Sequence, residues 1–168
     1  MNHVLTAAGM ALATGGDWAT TLAGMGRVSP VRGRLERAVI SRAGAPVYID
    51  YAHTPDAVEA AISALLPHVE GRLITVLVAV AARLSDVVIV TDDNPRSEDP
   101  AVIRSAVLGG APDATEIGDR REAIAAAIRM AKAGDIVLVA GKGHEQGQIV
   151  GDKVLPFDDV TVARECAA

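Results

Sequence analysis

Aromatic side chains are nearly absent: one tryptophan, two tyrosines and one phenylalanine stand among 168 residues, although half of the sequence is hydrophobic. The core must therefore be built from Ala, Val, Ile and Leu, which suits helices laid on a parallel sheet. Cysteine occurs once, as Cys166, so an internal disulfide and a cysteine-based zinc site are both excluded and a reducing cytoplasm fits best. Long apolar runs are missing, and no membrane span is expected. Positive charge is in deficit. Sixteen basic against 21 acidic side chains leave a net charge of −5, which argues against general nucleic-acid binding. Met1 to Thr14 is apolar but has no Lys or Arg, whereas a secretion signal begins with positive charge. The length suits one ordinary domain with a small appendage.

What is present is organised around Asp86 to Glu98. Val87 to Val90 is an unbroken β-branched run, too short for a helix and suited to a strand buried on both faces. It stops on the polar turn Asp92 to Arg96, and Asp99-Pro100 then opens a helix, with Asp as N-cap and Pro at the first helical position. The turn thus sits at the carboxyl end of a buried strand, the edge where open α/β sheets bind ligands.

The other elements repeat this pattern. Val4 to Ala13 is helical and stops at Gly15-Gly16, and Asp17 caps a short helix to Met25. Five arginines lie between Arg27 and Arg42 against one acid, Glu36, which reads as a phosphate-facing stretch or a solvated linker. Val47 to Tyr51 is the first strand expected, and Thr54-Pro55-Asp56 starts a helix to about Leu66. Strands follow at Leu73 to Val78, Val87 to Val90, weakly at Thr115 to Ile117, and at Ile136 to Ala140. Helices are expected from Pro100, from Asp119 with Glu122 three residues on, and from about Asp158. Gln148 to Leu155 reads as a carboxyl-terminal hairpin. The sum is a Rossmann-like α/β fold, with a mostly parallel sheet and helices on both faces.

Three polar clusters then share one edge of that sheet: Asp50 to Asp56, Asp92 to Arg96 and Gly141 to Glu145. Arg96 can grip a carboxylate with its planar fork, Asn94 can donate and accept, and Glu145 can hold an ammonium group. A carboxylate beside an ammonium describes an amino acid. Gly141 and Gly143 let a backbone come close to a ligand. The plain alternative for Gly141-Lys142-Gly143 is a tight turn, and because Lys142 is not followed by Ser or Thr this is no Walker A loop. His53 and His144 are too isolated to make a metal site.

Gly33-Arg34-Leu35-Glu36, Asp50 to Asp56, Thr91 to Arg96 with Ser97-Glu98-Asp99-Pro100, and Ala140 to Glu145 occur in this order. Through them nearly the whole chain resembles the Mur ligases, ATP-dependent amide ligases of peptidoglycan synthesis. The resemblance points to the members that add meso-diaminopimelate to UDP-N-acetylmuramoyl-L-alanyl-D-glutamate. In them Asp-Asn-Pro-Arg marks selection of meso-diaminopimelate over lysine, and here it is Asp93-Asn94-Pro95-Arg96. The resemblance implies that Asp93, Asn94, Arg96, Gly141 and Glu145 line an amino-acid site, and that Arg34, Asp50, Tyr51 and His53 face a nucleotide. It further implies a three-domain cytoplasmic enzyme that uses ATP and magnesium. There ATP turns the substrate carboxylate into an acyl phosphate, which the amine of the amino acid attacks.

The departures from the family shape the expectation. Residues 1–31 resemble the last helices of a central ATP-binding domain, and 32–168 resemble the carboxyl-terminal amino-acid-binding domain. The UDP-binding domain, the P-loop, the magnesium ligands and a carbamylated lysine are all missing. No catalytic residue and no metal site are therefore expected here, and ATP is not expected to be held by this chain alone. The expected partners are meso-diaminopimelate and either the missing ligase domains or a second copy of the chain. A non-catalytic ligand- or partner-binding module, or a self-associating fragment, is the rival reading. A family glycine-rich stretch expected after the second strand is missing as well. Independently, a parallel crossover ordinarily needs at least about 10–12 residues, more than Ala79 to Asp86 provides. Either residues are absent from the sequence at Leu77-Val78, the preferred reading, or an internal deletion has left a strained crossover, a displaced strand or an exchange between chains.

Overall fold

The computed structural model describes residues 2–77, 84–95, 97–150 and 153–168. The chain divides into two compact units, residues 1–31 and 32–168. In the first, α1 (Asn2–Ala13) is followed by α2 (Trp18–Met25), whose N-cap Asp17 accepts from the Thr20 N–H at 2.8 Å. Leu5, Met10, Trp18 and Leu22 of these helices are exposed.

The second unit is built on six strands: β1 (Glu36–Ile40), β2 (Pro46–Asp50), β3 (Leu73–Leu77), β4 (Val87–Val90), β5 (Thr115–Glu116) and β6 (Ile136–Ala140). Their order across the sheet is β1-β2-β6-β3-β4-β5, and every pairing is parallel except β1 with β2. One expectation needs correction. Arg27 to Arg42 is neither wholly linker nor wholly ligand surface, because Glu36–Ile40 forms an antiparallel edge strand. The strand buries Ala38 and half-buries Val39, while Arg37 and Ile40 stay exposed.

The central strands are buried on both sides, as their continuous apolar runs demand. Along β6, Val137 and Val139 face one core with Ile124, Ala127 and Val160, while Ile136, Leu138 and Ala140 face the other with Val58, Ile62 and Leu65. The first core is closed by α5 (Arg120–Met130) and α6 (Asp159–Ala167), the second by α3 (Pro55–Leu65) and α4 (Pro100–Leu108). Three of these helices start on their expected caps, Thr54, Asp99 and Asp119, and Asp158 caps the fourth; all accept from backbone N–H groups of the first turn. A separate hairpin of β7 (Gly147–Val150) and β8 (Lys153–Pro156) precedes α6. Strands β3 and β4 are direct neighbours, in register from Ile74 beside Val87 to Leu77 beside Val90. β4 is therefore not displaced; most of the connection to it, Val78 to Arg83, lies outside the described residues.

At the opposite edge from the strand carboxyl ends, Asp135 anchors the start of β6. It accepts from the Arg72 side chain (2.8 Å), the Arg72 N–H (2.8 Å) and the Lys132 N–H (2.9 Å). Burial alone would push its carboxyl up, but the Arg72 side chain and the two backbone donors outweigh burial and hold it below the usual carboxylate range. A depressed folded value contributes stability that is present above the unfolded value, about 3.9, and is lost as pH falls through the folded one. Asp135→Asn is therefore expected to cost about 2 kcal/mol at pH 7 and much less at pH 2–3. Urea midpoints at the two pH values check this; an equal loss at both would contradict it.

Candidate functional site

The turns that follow β2, β6 and β4 lie on the same edge of the sheet and enclose a cleft of about 360 Å³. Tyr51, His53, Asp93, Asn94, Pro95, Glu98, Ile103, Gly141 and Glu145 line it. The volume is in the range that takes a small ligand. The cleft brings together Asp93, Asn94, Gly141 and Glu145 of the expected amino-acid site, while Arg96 lies outside the described residues. Glu98 is an acid that the sequence reading did not single out as a site residue.

Beneath these groups lies Lys142, whose side chain has no exposed surface. Gly141 (φ +123°) and Gly143 (φ +55°) flank it in conformations that other residues rarely adopt, and they let the turn direct this side chain inward. Lys142 Nζ donates to Asp93 Oδ1 and to Asn94 Oδ1, each at 3.0 Å, and lies 3.6 Å from Glu145 Oε2. Asn94 Oδ1 accepts a second bond from the Ile149 N–H at 2.9 Å, and Asn94 Nδ2 donates to Glu145 Oε2 at 3.0 Å. The available signal for Lys142 was its place: between two glycines, directly beyond a buried strand.

The neighbouring face carries the residues expected to meet a nucleotide. Asp50 accepts from the Leu35 N–H at 2.7 Å through Oδ2 and from the Ala52 N–H at 2.8 Å through Oδ1. Both oxygens are occupied by backbone donors, so Asp50 holds the turn that carries Arg34. The Arg34 guanidinium lies 4.8 Å from the centre of the Tyr51 ring. Tyr51 meets His53 edge-on at 4.8 Å and His144 at 5.0 Å, and His53 Nδ1 is 2.9 Å from the Tyr51 carbonyl oxygen. The result is a cluster of three mutually inclined rings with a cation over the tyrosine.

Among the described residues no group of three His, Cys, Asp or Glu is arranged to hold a metal ion. Asp93 and Glu145 do not supply a magnesium site either, because a buried ammonium stands next to both. A second cavity, about 640 Å³, opens at the other end of the strands between Asp86 and Asp113. Two of its polar groups are engaged: Asp86 accepts from the Leu73 N–H, and the Ser85 hydroxyl bonds that of Thr75.

Residues 33–143 match the family model described as "Mur ligase, glutamate ligase domain". The chain belongs to the Mur ligase family. It is 58% identical to the UDP-N-acetylmuramoyl-L-alanyl-D-glutamate–2,6-diaminopimelate ligase of Zymomonas mobilis, a match covering 98% of this chain and 38% of that protein. The enzyme of that name from Caulobacter vibrioides is 49% identical, over 95% of this chain and 36% of its own length. A solved structure of a 2,6-diaminopimelate ligase of this type superposes with a TM-score of 0.72 at 32% identity, covering 97% of this chain and 37% of that one. A UDP-N-acetylmuramate–alanine ligase from Thermotoga maritima superposes at 0.69 with 19% identity, over 97% and 35% of the two chains, which shows the shared fold alone. This Mur ligase domain thus spans little more than a third of the relatives it matches. The Zymomonas alignment runs over 183 positions although the chain has 168 residues. That relative therefore carries at least 15 residues within the matched span that have no counterpart here, in line with a segment missing from this sequence.

Proposed function

We propose that this chain is the amino-acid-presenting, carboxyl-terminal part of a ligase that adds meso-diaminopimelate to UDP-N-acetylmuramoyl-L-alanyl-D-glutamate. In this reading residues 1–31 are the end of the central ATP-binding domain, and the enzyme works in the cytoplasm. The observation that carries it is the convergence of Asp93, Asn94 and Glu145 on one cleft. Asp93 and Glu145 accept from an ammonium group, and Asn94 with Arg96 donates to a carboxylate. One end of a diamino dicarboxylic acid offers such a pair. Arg34, Tyr51 and His53 present a cation and flat rings to a nucleotide beside it. ATP, when bound by the whole enzyme, supplies the activation of the substrate carboxylate. The part played by this chain is to hold and orient the incoming amino acid, and docking against the remaining domains would assemble the complete site.

A calorimetric titration tests the assignment. The chain is expected to bind meso-diaminopimelate and to bind lysine more weakly. Arg96→Ala is expected to lower the affinity for meso-diaminopimelate roughly ten- to a hundredfold, the cost of a charge-assisted bidentate contact. Alone, the chain is expected to release no phosphate from ATP when given both other substrates. Equal binding by Arg96→Ala and the parent, or a preference for lysine, would overturn the assignment.

A further inference from the structure

Lys142 lies in the glycine turn beyond β6, yet its ammonium reaches the turn beyond β4. A lysine is rarely buried completely unless its charge is compensated, and here the compensation comes from residues that line the cleft. We infer that Lys142 is a positioning residue of the amino-acid cleft: together with the Ile149 N–H it fixes which way the Asn94 amide points, and so makes the cleft select a ligand carrying a carboxylate. The inference rests on the amino-acid reading above and names the source of its selectivity.

Donors and acceptors set the orientation of the Asn94 amide. The two ends of an asparagine amide have nearly the same shape, and only their partners decide which end is which. An ammonium has three N–H donors and no acceptor, so the Asn94 atom facing it must be the oxygen. The Ile149 N–H requires the same orientation. Nδ2 is thereby turned toward Glu145, where one of its two N–H groups is engaged. The second N–H has no protein partner among the described residues. It is left for an acceptor on the ligand, which a carboxylate supplies and an ammonium does not. The same Lys142 charge also sets the balance of the cleft. Asp93, Glu98 and Glu145 with Lys142 sum to two negative charges; without Lys142 they sum to three, which favours a ligand richer in positive charge. Lysine is such a ligand, since it lacks the second carboxylate of meso-diaminopimelate. The Lys142 backbone takes part as well, its carbonyl accepting from the Glu145 N–H at 3.0 Å.

Two measurements test this, one of them free of any ligand. The chain has only three lysines, and Lys132 and Lys153 are exposed. In nitrogen-resolved NMR of the unaltered chain near pH 6–7, one slowly exchanging ammonium signal is expected, with cross-peaks to the Asn94 side-chain amide and the Ile149 N–H. Absence of that signal, or its assignment to another lysine, would overturn the inference without touching the amino-acid reading. The second measurement compares Lys142→Met with the parent by calorimetry, using meso-diaminopimelate and lysine as probes. The ratio of the two affinities is expected to shrink by roughly tenfold in the variant, an effect that simple destabilisation would not produce. An unchanged ratio in a folded variant would overturn the inference while leaving the amino-acid reading standing. If the parent binds neither probe, or prefers lysine, the amino-acid reading fails and the selectivity claim fails with it. If Lys142→Met does not fold, the ammonium signal of the parent decides.

Discussion

Arg120→Met is expected to cost about 3–5 kcal/mol of stability, and the loss should be partly recovered by a second change at Asp159. Arg120 opens α5 and Asp159 opens α6; neither side chain has any exposed surface. Arg120 Nε donates to Asp159 Oδ1 at 2.8 Å and Nη2 donates to Asp159 Oδ2 at 2.7 Å, a two-pronged bond between fully desolvated charges. Burial alone would lower the value of the Arg120 guanidinium, but Asp159 first, and then Asp93 and Glu145, hold it raised. Removing the arginine strands the carboxylate in an apolar layer, which is why one substitution costs more than the pair contributes. Arg120→Met with Asp159→Leu replaces both charges by apolar groups and should lie above the single variant in urea and thermal melts. For a chain of this length the single variant should melt roughly 6–20 °C lower. Nη2 also donates to the Ala140 carbonyl at 3.1 Å, so the same variant loosens the end of β6 just before Gly141. A loss below about 1 kcal/mol, or a double variant less stable than the single, would contradict this account.

Gly33→Ala is expected to be the second large effect, about 2–5 kcal/mol. Gly33 has φ +66°, and a Cβ there would sit 2.3 Å from the Gly143 carbonyl carbon and the His144 nitrogen. The obstruction is backbone, so no side chain can swing away. Strain and overlap can be separated with Gly44→Ala. Gly44 has φ +88°, but a Cβ there meets nothing within 4 Å, so its cost of about 1–2 kcal/mol reports strain alone. The difference between the two variants in urea unfolding measures the contact between the Arg34 turn and the Gly141–Glu145 turn. Equal losses would show that these turns yield to each other easily. Gly33→Ala is also expected to disturb the Tyr51 environment, because the Gly33 carbonyl accepts from the Tyr51 N–H at 2.8 Å.

The parts of the fold that were legible in the sequence are those whose signals are local. Val87–Val90 and Ile136–Ala140 are uninterrupted apolar runs, and Thr54, Asp99 and Asp119 announce helices by capping chemistry that involves only the next few residues. The shared edge followed from alternation of strand and helix. β1 was missed because charged Glu36 and Arg37 open an edge strand, where charge is tolerated and hides the pattern. The roles of Lys142 and Arg120 were not legible for a different reason. Each is a charge that composition assigns to the surface, and each is buried by a partner 39 to 49 positions away. Asp50 was read as facing a ligand, although its two oxygens serve backbone groups of a turn fifteen residues earlier and of the residue after next.

The position of β6 has a consequence for the newborn chain. It lies between β2 and β3, and Ala140 stands beside Asp50, ninety positions earlier. Before Ile136–Ala140 is synthesised, β2 and β3 share no partner, and each presents an open apolar border to the cell. From Val90, the end of β4, to Ile136 is a stretch of 46 positions, which the ribosome covers in roughly 2–9 s at roughly 5–20 residues per second. For that interval the two halves of the sheet are separate adhesive surfaces, and the last central strand to be made closes both at once.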